Sequence, residues 1–253
     1  MDLNKIYHDD CLHGMRQIPD ASVDMILCDP PYGITGNDWD TQLPLGFLWQ
    51  QYKRIIKDHG AIVLTATQPF ATALISYAPD IFRYSLVWDK KIATNFLNAR
   101  RMPMRRHEDI LVFYKKLPTY NPQKTPGKPY KSKTNSVSTN YGEMKPMPIE
   151  NPTGERNPTT IVEIPNKRVK GGHATQKPVE LFEWLIKTYT NEGDLVLDSC
   201  MGSGTTAVAA KQLGRNFIGF EMEKDYVKMA NDRIENTVQG ASLQKDERVP
   251  TVL

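Results

Sequence analysis

Short, almost wholly apolar runs recur along this chain with amphipathic stretches between them, and that alternation restricts the fold more than any single motif does. "SVDMILCD" (22–29), "AIVLTA" (61–66), "DLVLDSC" (194–200) and "NFIGFE" (216–221) carry apolar residues on both faces of an extended backbone, as strands covered on two sides require. "KIYHDD", "FRYSLVWDK" and "EDILVFYKK" read as further strands. Between them, "LPLGFLWQQYKRIIKDHG" sets Leu45, Leu48, Tyr52, Ile55 and Ile56 on one helical face and predicts a helix stopping at Gly60. "PFATALISYA", "KPVELFEWLIKTYT" with Pro178 near its start, "GTTAVAAKQLG" ending at Gly214 and "DYVKMANDRIENTV" are the other expected helices. Strands alternating with helices predict an α/β fold with a doubly wound, mostly parallel sheet.

At 253 residues and 40% hydrophobic content the chain is long enough for one good core and a small appendage. Its net charge of +3 is unevenly placed. Residues 115–172 hold eleven Lys or Arg against four Glu, leaving −4 for the remainder, and also hold nine of the eighteen prolines. A basic, irregular segment on an acidic-to-neutral body fits a polyanionic partner, and it equally fits a solvated loop. No apolar run is long enough to span a bilayer, and "MDLNKIYHDD" has no signal-peptide pattern. Cys11, Cys28 and Cys200 have neither disulfide nor zinc spacing, so no metal site is expected and a reducing compartment is the simplest reading.

"VLDSCMGSGTTAVAAKQLG" is a strand, a glycine turn and a helix in succession. Gly202 and Gly204 remove the Cβ atoms that would hold a ligand off the backbone, and Asp198 sits at the strand's carboxyl end. Glu221 ends the next strand, about twenty residues on, where an acid can accept hydrogen bonds from ribose hydroxyls. The third glycine of a dinucleotide fingerprint is missing, since Thr205, Thr206 and Ala207 follow Gly204, and there is no P-loop Gly-Lys-Ser/Thr. The ligand therefore has an adenosine-like ribose without a pyrophosphate. S-adenosylmethionine fits that description.

The strand "VDMILCD" ends in Asp29 and runs into Pro30-Pro31-Tyr32. "DPPYG", with "DSCMGSGTT" and "HATQKPVELFEWLI", closely resembles the S-adenosylmethionine-dependent DNA amino-methyltransferases, which methylate N6 of adenine or N4 of cytosine. The motif order is that of the family's beta group. The resemblance covers the chain from Lys5 to about Ile234 apart from the basic segment. It implies a circularly permuted, Rossmann-like sheet of seven strands, one antiparallel, in which "KIYHDD" closes beside the strand ending in Glu221. It also implies a division into a catalytic half (1–116), a target-recognition segment (117–172) and a cofactor-binding half (173–240), before a flexible tail (241–253).

By the same resemblance Asp29, Pro30, Pro31 and Tyr32 are the catalytic residues. Asp29 accepts one hydrogen of the exocyclic amine and the Pro30 carbonyl the other, on a backbone whose φ is locked. Tyr32 stacks on a base that has left the duplex. The cofactor-binding set is Asp10, Cys11, Asp29, Thr175, Lys177, Asp198, Cys200, Gly202, Ser203, Gly204, Thr205, Thr206 and Glu221. Thr175 and Lys177 approach the carboxylate end of the cofactor, and Asp10 its adenine. Cys28 follows Leu27 rather than a proline, so it reads as core packing and not as the nucleophile of a C5-cytosine enzyme. DNA contacts are expected from Arg100, Arg101, Arg105 and Arg106 between two strands, and from Lys131, Lys133, Arg156, Lys167 and Arg168 in the recognition segment. Asn135, Asn140 and Asn157 join Arg156 as candidates for reading bases. "GITGNDWD" has possible hinges at Gly33 and Gly36.

These expectations amount to an enzyme methylating N6 of adenine in double-stranded DNA. An N4-cytosine enzyme, an RNA adenine enzyme, and a non-catalytic DNA-binding module on the same fold are the alternatives. The resemblance implies a bacterial or phage-encoded, cytoplasmic protein, and it leaves open a homodimer and a cognate restriction endonuclease.

Overall fold

In the computed structural model, which describes residues 1–33, 42–133, 148–166 and 176–240, the apolar runs pair into one sheet of eight strands. The elements in chain order are β1 (Lys5–His8), α1 (Cys11–Gly14), β2 (Val23–Cys28), α2 (Leu45–Ile55), β3 (Ile56–Ala66), α3 (Phe70–Tyr77), β4 (Phe82–Thr94) and β5 (Arg105–Phe113). They continue with β6 (Tyr130–Lys133), β7 (Pro148–Asn151), β8 (Ile161–Glu163), α4 (Val179–Tyr189), β9 (Leu195–Asp198), α5 (Thr205–Gln212), β10 (Asn216–Glu221) and α6 (Lys224–Glu235). The sheet order is β1-β10-β9-β2-β3-β5-β4-β8, and β5 alone runs against the rest. None of the described helices is long and apolar enough to cross a membrane.

Alternate residues of each central strand feed two different cores. Ile26, Cys28, Ile62 and Leu64 pack with α2 and α3, whereas Met25, Leu27, Ala61 and Val63 pack with α4 and α5. Both faces are covered, which is why the strands read as continuous apolar runs. β1 pairs in parallel with β10, from Lys5↔Ile218 to His8↔Glu221, so the first strand of the chain flanks the last. The sheet therefore closes around the permuted order as expected.

Two expectations are corrected. The sheet has eight strands, not seven, because Ile161–Glu163 adds a parallel edge strand beside β4 (Val87↔Ile161 to Asp89↔Glu163). Three residues at the end of a proline-rich stretch carry no period to announce them. The helix after Pro44 ends at Ile55, five residues before Gly60, and Ile56 opens β3. Ile56 lies on the predicted helical face, yet it is buried by pairing with Val23 instead. The register then jumps from Val23↔Ile56 to Met25↔Ala61, a wide bulge holding Lys57 to Gly60.

The chain forms two compact units, Pro122–Thr159 and the remainder. The smaller unit holds the antiparallel pair of β6 and β7 and a bridge between Thr125 and Arg156.

Gly60 is a site of close approach. A Cβ there would stand 2.7 Å from the Asp24 carbonyl oxygen and 2.7 Å from Ile56 Cδ1. Gly60→Ala is expected to destabilise the protein by about 1–3 kcal/mol, as overpacking does. Urea denaturation checks this, and an unchanged midpoint would contradict the tight bulge.

Candidate active site

β1, β10, β9, β2 and β3 all run parallel, so their carboxyl ends lie on one edge of the sheet. The chain leaves β9 toward β10 and leaves β2 toward β3, in opposite directions along the sheet. The crevice between β9 and β2 is thus a topological switch point, where open α/β sheets bind ligands. Asp198 ends β9, Asp29 immediately follows β2, Glu221 ends β10, and Asp9 and Asp10 follow β1.

Asp29 is surrounded by donors. Its Oδ1 accepts hydrogen bonds from the Tyr32 hydroxyl at 2.8 Å and from the Thr65 hydroxyl, and its Oδ2 accepts one from Lys177 Nζ at 2.6 Å. Lys177 is also 3.3 Å from Glu108 Oε2, and Glu108 Oε1 accepts from Lys90 Nζ at 3.1 Å. Burial works against the Lys177 ammonium, but the Asp29 and Glu108 carboxylates outweigh it and raise the pKa of Lys177 above its ordinary value. The Tyr32 phenol is raised well above its ordinary value by burial, with Asp29 and Glu108 adding to the effect. The Tyr32 ring lies 5.4 Å from that of Phe70 and 5.7 Å from the Lys177 ammonium. Pro30 is buried and Pro31 half-buried.

The glycine loop is held from behind. Gly202 and Gly204 have φ of +52° and +82°, the left-handed region that favours glycine. A Cβ on Gly204 would come within 2.7 Å of the Ala230 Cβ, whereas one on Gly202 would meet nothing closer than the Cys200 carbonyl oxygen at 4.0 Å. Gly204 therefore packs the loop onto α6, and Gly202 keeps its face open. Arg233 donates to the Ser203 carbonyl and to Ser203 Oγ at 2.9 Å. The Thr205 hydroxyl reaches the Lys177 carbonyl at 3.4 Å, and the Thr206 hydroxyl donates to Asp198.

Glu221 accepts backbone N–H bonds from Gly202 at 2.7 Å and Glu223 at 2.8 Å, which fastens the end of β10 to the glycine loop. Burial raises its pKa. Asp10 accepts from the backbone N–H groups of Leu12 and His13 as the N-cap of α1, and Asp9 pairs with His13 at 2.8 Å. Cys11 and Cys28 are buried, and Cys200 is half-buried with its thiol raised well above the ordinary value by the adjacent Cys11 and Cys28 and by burial.

The expected DNA contacts are distributed differently. Arg100 and Arg101 are exposed on the connection between β4 and β5, beside the exposed Phe96 and Leu97, and Arg105 is half-buried. Arg106 makes a two-pronged ion pair with Asp89 at 2.8 and 2.9 Å, so its guanidinium is already engaged. In the smaller unit Lys131 pairs with Glu150, and Arg156 bonds to the carbonyls of Gly154 and Lys128 while lying 4.7 Å from the Tyr130 ring. Lys133 closes β6. Thr175, Lys167, Arg168, Asn135, Asn140 and Gly36 lie outside the described residues. Sequence reasoning missed Thr65, Lys90 and Glu108, three polar side chains in strands whose partners lie far along the chain.

Asp198 is 2% exposed, and burial raises its pKa to about 6 even though Thr206 and the Cys200 N–H donate to it. A carboxyl raised on folding contributes stability that is full below its ordinary value and is lost as pH rises through the folded one. That rise corresponds to roughly 3 kcal/mol, lost between about pH 4 and pH 6. Asp198→Asn is expected to flatten that slope in urea denaturation of the ligand-free protein. Equal slopes in the two proteins would contradict the assignment.

Comparison with known proteins agrees with this geometry. Residues 23–232 match the model of a family described as DNA methylase. The chain is 33% identical to the type II methyltransferase M1.MboII of Moraxella bovis, over 91% of this chain and 96% of that one. It is 29% identical to the DNA adenine methyltransferase YhdJ of Escherichia coli K12, over 91% and 82% respectively. Among solved structures it resembles M1.HpyAVI in complex with SAM, with a TM-score of 0.63, 27% identity, and coverage of 90% of this chain and 98% of that one. A match over residues 23–232 and 33% identity across nearly the whole of M1.MboII show that the chain belongs to the DNA methylase family.

Proposed function

We propose that this protein transfers a methyl group from S-adenosylmethionine to N6 of adenine in DNA, with Asp29, Pro30, Pro31 and Tyr32 acting on the base. The observation that carries the reading is the position of Asp29, one strand from the glycine loop on the same sheet edge. The likeness to relatives whose names specify DNA adenine methylation or a bound SAM supports both the base and the cofactor.

The residues fit that cofactor. Asp29, Asp198 and Glu221 line the crevice with carboxylates, which suits a ligand carrying a sulfonium, an ammonium and ribose hydroxyls and would repel a phosphate. Gly202 leaves the loop open on the face a ligand would approach. When bound, S-adenosylmethionine supplies an electrophilic methyl carbon on a sulfur that leaves as a neutral thioether.

The protein's task is to make a poor nucleophile attack. The adenine amine lone pair is delocalised into the ring, and a carboxylate accepting one N–H and a carbonyl accepting the other favour a pyramidal nitrogen. Asp29 and the Pro30 carbonyl stand at the end of a buried strand, so the two acceptors are positioned before the base arrives. The nitrogen gains the methyl and must shed one proton, for which Asp29 is the adjacent acceptor. Tyr32 stacks on the extruded base, an interaction of about 1–3 kcal/mol.

Residues 117–172 serve as the recognition segment between a catalytic half, 1–116, and a cofactor half, 173–240. The exposed Arg100 and Arg101 contribute phosphate contacts. Relatives named as type II methyltransferases support a bacterial, cytoplasmic role beside a cognate restriction endonuclease. A homodimer remains a proposal drawn from the family resemblance.

Asp29→Ala is expected to lower methyl transfer to DNA at least about 100-fold, while S-adenosylmethionine still binds by calorimetry, weakened by the loss of one crevice carboxylate. Transfer at the wild-type rate would overturn the role of that carboxylate.

A further inference from the structure

Lys90, Glu108, Lys177 and Asp29 form a chain of alternating charge, with side chains 7%, 13%, 9% and 26% exposed. Desolvating an ion is costly, and apolar residues of similar volume often serve stability as well or better. Four partly buried charges in a row beside the proposed catalytic carboxylate therefore call for a functional reason.

Lys177 is shared unequally. It hydrogen-bonds to Asp29 Oδ2 at 2.6 Å, but it stands 3.3 Å from Glu108 Oε2 in an ion pair without hydrogen-bond geometry. Among the described residues the only cation beside Glu108 Oε2 is Lys177, at 3.3 Å and poorly aligned, while the other oxygen is held by Lys90. A buried carboxylate oxygen left in that condition is uncommon and costly. It amounts to a second seat for the ammonium, roughly 0.5 Å of movement away from ordinary hydrogen-bond length. The four-carbon stem of a lysine allows such a shift.

Asp29, by contrast, is crowded. Tyr32 and Thr65 occupy one oxygen and Lys177 holds the other, so an incoming amine must share Oδ2 with a closely bound ammonium that competes for its charge. We propose that Glu108 is a positioning residue that takes over Lys177 when the target amine reaches Asp29. Lys177 holds the Asp29 carboxylate in place, and its transfer to Glu108 frees Oδ2 for the substrate N–H without leaving the ammonium unpaired. Lys90 holds the far oxygen of Glu108 so that the near one faces Lys177. This rests on the reading of Asp29 as the acceptor of the target amine.

In Glu108→Gln the ammonium has no second carboxylate and stays on Asp29. The single-turnover rate of methyl transfer, and with it kcat, is expected to fall roughly tenfold or more. KM for DNA and Kd for S-adenosylmethionine should stay within about twofold of wild type. Glu108→Asp, which restores the charge, should recover part of the rate. Lys90→Met combined with Glu108→Gln removes one charge of each sign, so it guards against simple misfolding and should be as slow as Glu108→Gln. A wild-type single-turnover rate in folded Glu108→Gln, with Asp29→Ala inactive, would overturn this inference and leave the proposed function standing. An active Asp29→Ala would remove both.

Discussion

Parallel pairing is the constraint on which the rest of the structure depends. Because β1, β10, β9, β2 and β3 run the same way, every residue that follows one of them arrives at the same edge of the sheet. Asp29 and Asp198 come from positions 169 residues apart, yet β2 and β9 are neighbours, with Ile26 paired to Leu197. Had those strands run antiparallel, the proline pair and the glycine loop would lie at opposite edges. The apolar layers on both faces stabilise the register, since a slip of one residue would exchange the two core faces and misplace both site carboxylates.

The edge of the sheet gathers several carboxylates, Asp29, Asp198 and Glu221 among them. Asp198 is so deeply buried that its proton is held to about pH 6, and Asp29 adds to that effect. Lys177 is the ammonium that reaches Asp29, and it is itself shared with Glu108. Such an arrangement suits a positively charged cofactor, whose arrival relieves repulsion among the carboxylates. It also keeps the protein's own hydrogen bonds in place beforehand: Glu221 clasps Gly202, Arg233 clasps Ser203, and Thr206 clasps Asp198. The loop is held by side chains behind it, and Gly202 faces open space.

Much of this was legible in the sequence because its causes are local. Apolar runs without alternation mark strands buried on two faces, and Gly202 and Gly204 mark a left-handed turn between strand and helix. Asp29 followed by two prolines is a strand end with a fixed carbonyl. What stayed hidden depends on pairing between distant segments. Ile56 satisfies a helical face and a strand equally well, so only its pairing with Val23 decides where α2 stops. Arg106 reads as a free cation until strand register brings Asp89 beside it. Glu108 looks like the polar start of an apolar strand, and nothing near it in sequence points to Lys177, 69 residues away.

The central claim is that the Asp29 carboxylate and the Pro30 carbonyl present an adenine amine to S-adenosylmethionine. The direct measurement is to incubate the protein with methyl-labelled S-adenosylmethionine and unmethylated double-stranded DNA, digest the product to nucleosides and separate them. Label in N6-methyladenosine's deoxy form is the expected result. Label confined to N4-methyldeoxycytidine, or DNA that gains no label while the cofactor binds, would contradict it.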